Sequence, residues 1–202
     1  YEAVGRLLAE NRDLTPWFPP VLIGQDFEDA AAMLRRVKPR RVVCNNSGIA
    51  REAHRAEIPW VAGPQLNIAN GFSLLCLKET LGCQGAFLSD ELSMFQLRRI
   101  QPPDSCFGLY YRIYHPLQLM TARQCLFHQV TGCEKERVDA ACVPGCERSA
   151  SITSKSGEAF FVTKTPGQLC ALHHGESFLN TSLLADLPGK FSGLLIDLRE
   201  IK

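Results

Sequence analysis

Of the nine cysteines in this 202-residue chain, five fall late in the sequence, at Cys125, Cys133, Cys142, Cys146 and Cys170. A thiolate is both a nucleophile and a soft metal ligand, so such a concentration points first to metal or redox chemistry. Disulfides would need an oxidising compartment and usually come in even number, and nothing in the composition indicates that setting. A structural zinc site normally shows pairs spaced C-x2–4-C. Cys142-x3-Cys146 has that spacing, whereas Cys125-x7-Cys133 is wider. An iron–sulfur cluster accepts wider and less regular spacing, because four thiolates need only converge on one cube. On spacing alone, iron–sulfur, zinc and unliganded thiols all stay open. Arg123, Lys135, Arg137 and Arg148 offer positive charge to thiolates in the same stretch. Cys44 and Cys76, set within apolar segments, read instead as small core residues.

A second set of polar side chains recurs where apolar strands end. Val42-Val43-Cys44 runs into Asn45 and Asn46, and Trp60-Val61-Ala62 leads to Gln65, Asn67 and Asn70. A strand over 85–88 ends in Ser89 and Glu91, and one over 108–113 ends at His115. Ligands of α/β proteins bind at the carboxyl ends of strands, and amides, carboxylates and imidazoles are the groups that orient a ligand or move a proton there. Asn70 and Ser89 also read as helix caps.

The elements that position these groups alternate. A short strand is expected at 21–23, then a helix capped by Asp26 with Phe27, Ala30, Ala31 and Leu34 on one face. Further helices start after Asn46, after Asn70 and at 89–92. The second of these has Phe72, Leu75 and Cys76 as its apolar face and Gly82 as its C-cap. Strand–helix alternation with short connections predicts parallel βαβ units in an α/β fold, a (β/α) TIM-barrel-like parallel sheet. Five or six strands fall short of eight, so a partial barrel is expected. The organisation reads as βα units over 1–124, a cysteine-rich segment with a small β-hairpin insertion over 125–170, and a return to the barrel over 171–202. The hairpin turns at Ser156-Gly157, His173-His174 sits on a loop, and a last buried strand covers 193–198.

The composition is that of an ordinary globular protein, 46% hydrophobic and 21% charged with formal net charge +1. It gives no support for a strongly electrostatic grip on nucleic acid or a membrane surface. The one basic run, RRVKPRR at 35–41, reads as a helix C-terminus with favourable cations and a solvated loop, with an RNA-backbone contact as the functional alternative. No run approaches the ~20 apolar residues of a membrane span. The opening segment, already amphipathic from Tyr1, is expected to belong to a longer protein. For a peptidase, Ser47 or Ser89 with His115 or His128 are the available groups, but neither a nucleophile elbow nor H-E-x-x-H occurs.

At PQLNIANGF (64–72), FLSDELS (87–93) and IYHPLQLMTARQC (113–125), order and spacing resemble the collagenase-like peptidase family U thirty-two, over residues 20–200. The stretch HPLQLMTARQCLFHQVTGC (115–133) is similar in particular to the branch that makes 5-hydroxycytidine in large-subunit (23S) ribosomal RNA. The resemblance implies a barrel-like fold and a cytoplasmic RNA hydroxylase carrying a [4Fe–4S] cluster, as several relatives do. It implies Cys125, Cys133, Cys142 and Cys170 as cluster ligands, with Cys146 competing. With strand-end placement, it suggests His115 and Glu91 as catalytic groups and Asn46, Asn67 and Asn70 as substrate-binding groups. Ribosomal RNA or its precursor is the implied partner, with an unspecified electron donor and no membrane. Gln118 stands where relatives carry a Cys seven residues before Cys125, and Cys133 is read as its replacement. His115-Pro116 replaces the family's His-Gly, and Tyr111 its preceding Glu. Two alternatives remain: a peptidase, as the family label says, or a non-catalytic zinc- or RNA-binding module of a larger enzyme, with zinc or no metal.

Overall fold

Apolar triplets too short to be helices set the frame. The computed structural model describes residues 1–122, 124–130, 133–134, 142, 150–165 and 169–199. The chain divides into two units, Tyr1–Arg112 with Thr181–Leu195, and Ile113–Asn180 with Ile196–Lys202.

In the first unit, β1 (Trp17–Phe18), β2 (Val42–Cys44), β3 (Trp60–Ala62), β4 (Gly85–Phe87) and the start of β5 (Gly108–Ala122) pair in that order, all parallel. β2, β3 and β4 are buried along their whole length, as expected of strands covered on both faces. Helices connect them: α2 (Gln25–Val37), α3 (Ser47–Arg55), α4 (Gly71–Leu81) and α5 (Met94–Arg99), with α1 (Glu2–Glu10) ahead of β1. Leu34, Ile49, Leu74, Leu88 and Leu97 are fully buried. Each contributes about 1.5–3 kcal/mol relative to exposure. A second patch joins Val43, Val61 and Phe87, with Tyr110 and Leu195 packed on it.

The second unit is antiparallel. The remainder of β5 pairs with β8 (Leu169–Leu179), β8 with β7 (Ala159–Thr165), and β7 with β6 (Ala150–Thr153). The short helix α6 (Leu126–Val130) follows β5 in this unit; α7 (Leu183–Asp186) and all but the last residue of β9 (Gly193–Ile196), a strand that pairs with β5, belong to the first unit. The fold is therefore mixed α/β, with a sheet part parallel and part antiparallel.

Several expectations are corrected. The first strand is Trp17–Phe18, not 21–23: Pro19 and Pro20 lack the N–H that would continue the ladder. Gly24, at φ 58°, takes the N-cap of α2, and Asp26 lies within the first turn. α5 starts at the Ser93–Gln96 capping box, later than the sequence pattern suggests. On α4 the buried residue is Leu74, while Phe72, Leu75 and Cys76 face solvent. That helix is apolar on nearly every side, so its periodicity defines no single face. β5 does not stop at His115 but runs on to Ala122. Register shifts between Pro116 and Gln118 and between Gln118 and Met120 accommodate the proline. His173 and His174 lie in β8 rather than on a loop, and β9 alternates half-buried and exposed rather than being buried throughout. The hairpin at Ser156-Gly157 (φ 90° at Gly157) and the Gly82 cap (φ 63°) form as expected.

Candidate functional site

The strand ends of the first unit carry the predicted amides, and backbone geometry claims part of them. Asn45 is buried. Its Nδ2 donates to Phe18 O at 2.9 Å and its Oδ1 accepts from Gln65 N at 3.0 Å, tying the ends of β1, β2 and β3 together. A Cβ at Gly63 would collide with that amide, so glycine is required there. Asn46 caps α3: its Oδ1 accepts from Gly48 N and Ile49 N, and its Nδ2 donates to Pro20 O at 2.9 Å. Asn70 caps α4 by accepting from Ser73 N at 2.9 Å.

Asn67 and Glu91 are exposed. Asn67 sits at φ 51°, closing a turn of 3-10 helix over Pro64–Leu66. Asparagine tolerates this left-handed conformation better than most residues. Ser89 is buried and accepts from Glu91 N at 3.3 Å. The carboxylate held most firmly at the end of β4 is Asp90, which sequence reasoning passed over. Arg112 Nε donates to Asp90 Oδ2 at 3.0 Å, with both side chains about 15% exposed or less.

In the second unit, His115 is 3% exposed within β5 and stacks on Phe178, with ring centroids 4.9 Å apart. Its Nδ1 lies 2.9 Å from Pro116 O. A carbonyl can only accept, so Nδ1 carries a proton in this contact. His173 is also buried. Its Nδ1 has no hydrogen-bond partner among the described residues, and burial, then Arg199, holds its pKa below the usual histidine value.

Strand register assembles the cysteine site. Ala122 of β5 pairs with Cys170 of β8, and Cys170 pairs with Lys164 of β7. Cys125 follows β5 by three residues and packs against the cluster that contains Cys170. Both pack in an apolar cluster of Phe127, Val162 and Leu172. Burial pushes the Cys170 thiol pKa up, and the neighbouring Cys125 adds to this; the Leu126 N–H and the Lys164 charge pull it down. Lys164 Nζ also donates to Cys142 O at 2.9 Å and stands 5.7 Å from the Phe127 ring centroid. Cys142 is buried and Cys133 half-buried.

The structure thus brings Cys125 and Cys170 into one apolar cluster and holds the backbone of Cys142 on Lys164. Cys146, and the cations Arg123, Lys135, Arg137 and Arg148, lie outside the described residues. Among the described residues no group of three or more His, Cys, Asp or Glu gathers as a metal site. What the described residues offer a cluster is two thiols packed in one apolar cluster with a lysine paired beside them. Lys164 was missed in the sequence because its proximity depends on the β7–β8 register rather than on spacing.

No helix among the described residues is long and apolar enough to cross a membrane. Compared with protein-family models, with characterised proteins and with solved structures, the chain matches none.

Proposed function

We propose that this chain is the cluster-bearing part of an RNA hydroxylase that forms 5-hydroxycytidine in large-subunit ribosomal RNA. The packing of Cys125 and Cys170 in one cluster beside Lys164 carries the proposal, and the resemblance of residues 113–133 supplies the reaction. In this reading the parallel βα run of the first unit is a portion of a TIM-barrel-like fold, and the enzyme works in the cytoplasm.

Cys125, Cys142 and Cys170, with Cys133 or Cys146 as the fourth ligand, hold a [4Fe–4S] cluster. Bound there, the cluster supplies one-electron transfer at a potential set by burial and hydrogen bonds to sulfur. Lys164 offsets negative charge, and Phe127 and Val162 keep water from the thiols.

A cytosine inside a duplex cannot be reached, so the substrate is a single-stranded or extruded base. Asn67, Asn70 and Glu91 are the exposed strand-end groups able to bond its edge. Asn46 has both ends of its amide engaged and holds the turn in place. His115, in the second unit, is the acid–base group that the resemblance implies.

The test is a cell whose sole copy carries Cys125→Ala or Cys170→Ala, with 5-hydroxycytidine in ribosomal RNA read by mass spectrometry. The modification should vanish; full modification with either variant would contradict the proposal.

A further inference from the structure

At the opposite end of the first unit's strands from the predicted amides, α1 and the turn leaving α2 enclose a cleft of about 660 Å³. Arg6 comes from α1 and Arg12 from the turn after it; Arg36, Lys38 and Arg40 come from the end of α2 and the turn that follows. Glu2 is the single carboxylate among the lining residues. Five cations converge here in a chain whose formal net charge is only +1.

A helix C-terminus that merely complements its dipole would explain Arg35 and Arg36. It does not explain why α1 and the turn after it bring two more arginines to the same space. Arg35, one residue away, forms an ion pair with Glu52 at 2.8 Å. The five lining cations form no ion pair among the described residues, and all five side chains are exposed. The local backbone builds the arrangement. Lys38 closes α2 at φ 44°, and Pro39 prevents the helix from continuing, which turns Arg40 back toward α1. Gly5 is buried, and a Cβ there would lie 3.2 Å from the Arg36 guanidinium, so glycine lets that group lie against α1.

We infer that this cleft is a binding surface for the phosphate backbone of RNA, separate from the predicted strand-end site. No aromatic ring lines the cleft to stack a base. Its cations sit on long exposed stems, which suit a polyanion contacted at several phosphates better than a compact mononucleotide. The contact is sequence-independent and positions a large RNA on the protein. The inference rests on the RNA reading only for the choice of polyanion, and its readout is binding rather than hydroxylation.

The experiment is fluorescence anisotropy of the full chain with a labelled single-stranded RNA of arbitrary sequence, from 50 to 300 mM salt. The unaltered chain is compared with Arg36→Gln/Lys38→Gln/Arg40→Gln and with Arg51→Gln/Arg98→Gln/Arg99→Gln. The second variant loses the same charge elsewhere on the unit. The cleft variant should lower the salt slope by roughly 2, at about 0.7 per lost phosphate contact, and weaken binding at least about tenfold at 100 mM salt. The second variant should change the slope by less than half as much. Equal losses in both variants, an unchanged slope in the cleft variant, or binding to anionic phosphatidylserine vesicles with none to RNA would each overturn the inference. Cellular 5-hydroxycytidine, measured separately, reports on the hydroxylase proposal whichever way binding falls.

Discussion

Two pairs of neighbouring cysteines, one in each unit, show how surroundings decide what a thiol can do. Cys44 and Cys83 are both buried in the first unit, close enough for a charge on Cys83 to disfavour one on Cys44. Burial pushes Cys44 up to about 12 and Cys83 up to about 11. The Cys83 thiol donates to Gly85 O at 3.0 Å, the bond of a protonated sulfur. Cys125 and Cys170 also pack in one apolar cluster, but the Lys164 charge acts on Cys170. The first pair behaves as small core side chains. The second has the Lys164 cation beside it, although burial still raises the Cys170 thiol, and it is the pair we propose as metal ligands.

The sharpest way to break the comparison is to remove one cysteine from each pair. Cys170→Ala should lose bound iron and cut hydroxylation by more than about 100-fold, since even outer partners of a metal site commonly matter 10–100-fold. Cys83→Ala should keep both, as read by iron content and by 5-hydroxycytidine in ribosomal RNA. Equal iron loss in the two variants would erase the distinction.

A second contrast lies in pH. Folding raises the thiol pKa of Cys44 and Cys83, so each favours the native state fully below its ordinary value of 9.0. That stability is lost as pH climbs toward about 11 and 12. Denaturant unfolding should show a loss on the order of 5 kcal/mol from the two thiols together between pH 9 and pH 11.5. Cys83→Ala should flatten the decline, and an unchanged decline would remove the buried thiols as its cause.

The smallest expected effect separates buried from exposed sulfur within the first unit. Cys44→Ala should cost about 1–2 kcal/mol of stability through the space it leaves. Cys76→Ala, on the solvent face of α4, should stay within about 0.5 kcal/mol. Denaturation midpoints compare the two, and a Cys76 variant as costly as Cys44 would place α4 in a different packing.

The parallel strands were legible because VVC, WVA and GAF are short, wholly apolar runs bounded by turn residues, and burial on both faces demands that pattern. Gly82 and Gly157 were legible because their positive φ favours glycine. β8 was hidden: its LCALHHGESFL mixes histidines and a glycine into a strand whose partners lie far away in sequence. The last third of β5 was hidden by Pro116, which ordinarily ends a ladder and here falls at an irregularity of register. The cysteine site followed the same rule. Composition marked the region, but which thiols meet is fixed by Ala122 lying opposite Cys170 and Cys170 opposite Lys164. Such long-range register leaves no local trace. The strand-end amides illustrate the converse: an asparagine before a helix reads equally as a cap or a ligand-binding group, and Asn46 and Asn70 both cap.

Metal analysis of anaerobically purified protein tests the central claim most directly. The unaltered chain should be brown and carry iron and sulfide in equal amounts, and Cys125→Ala and Cys170→Ala should each be purified without them while Cys44→Ala retains them. A colourless protein carrying zinc, or iron that survives both substitutions, would contradict the account.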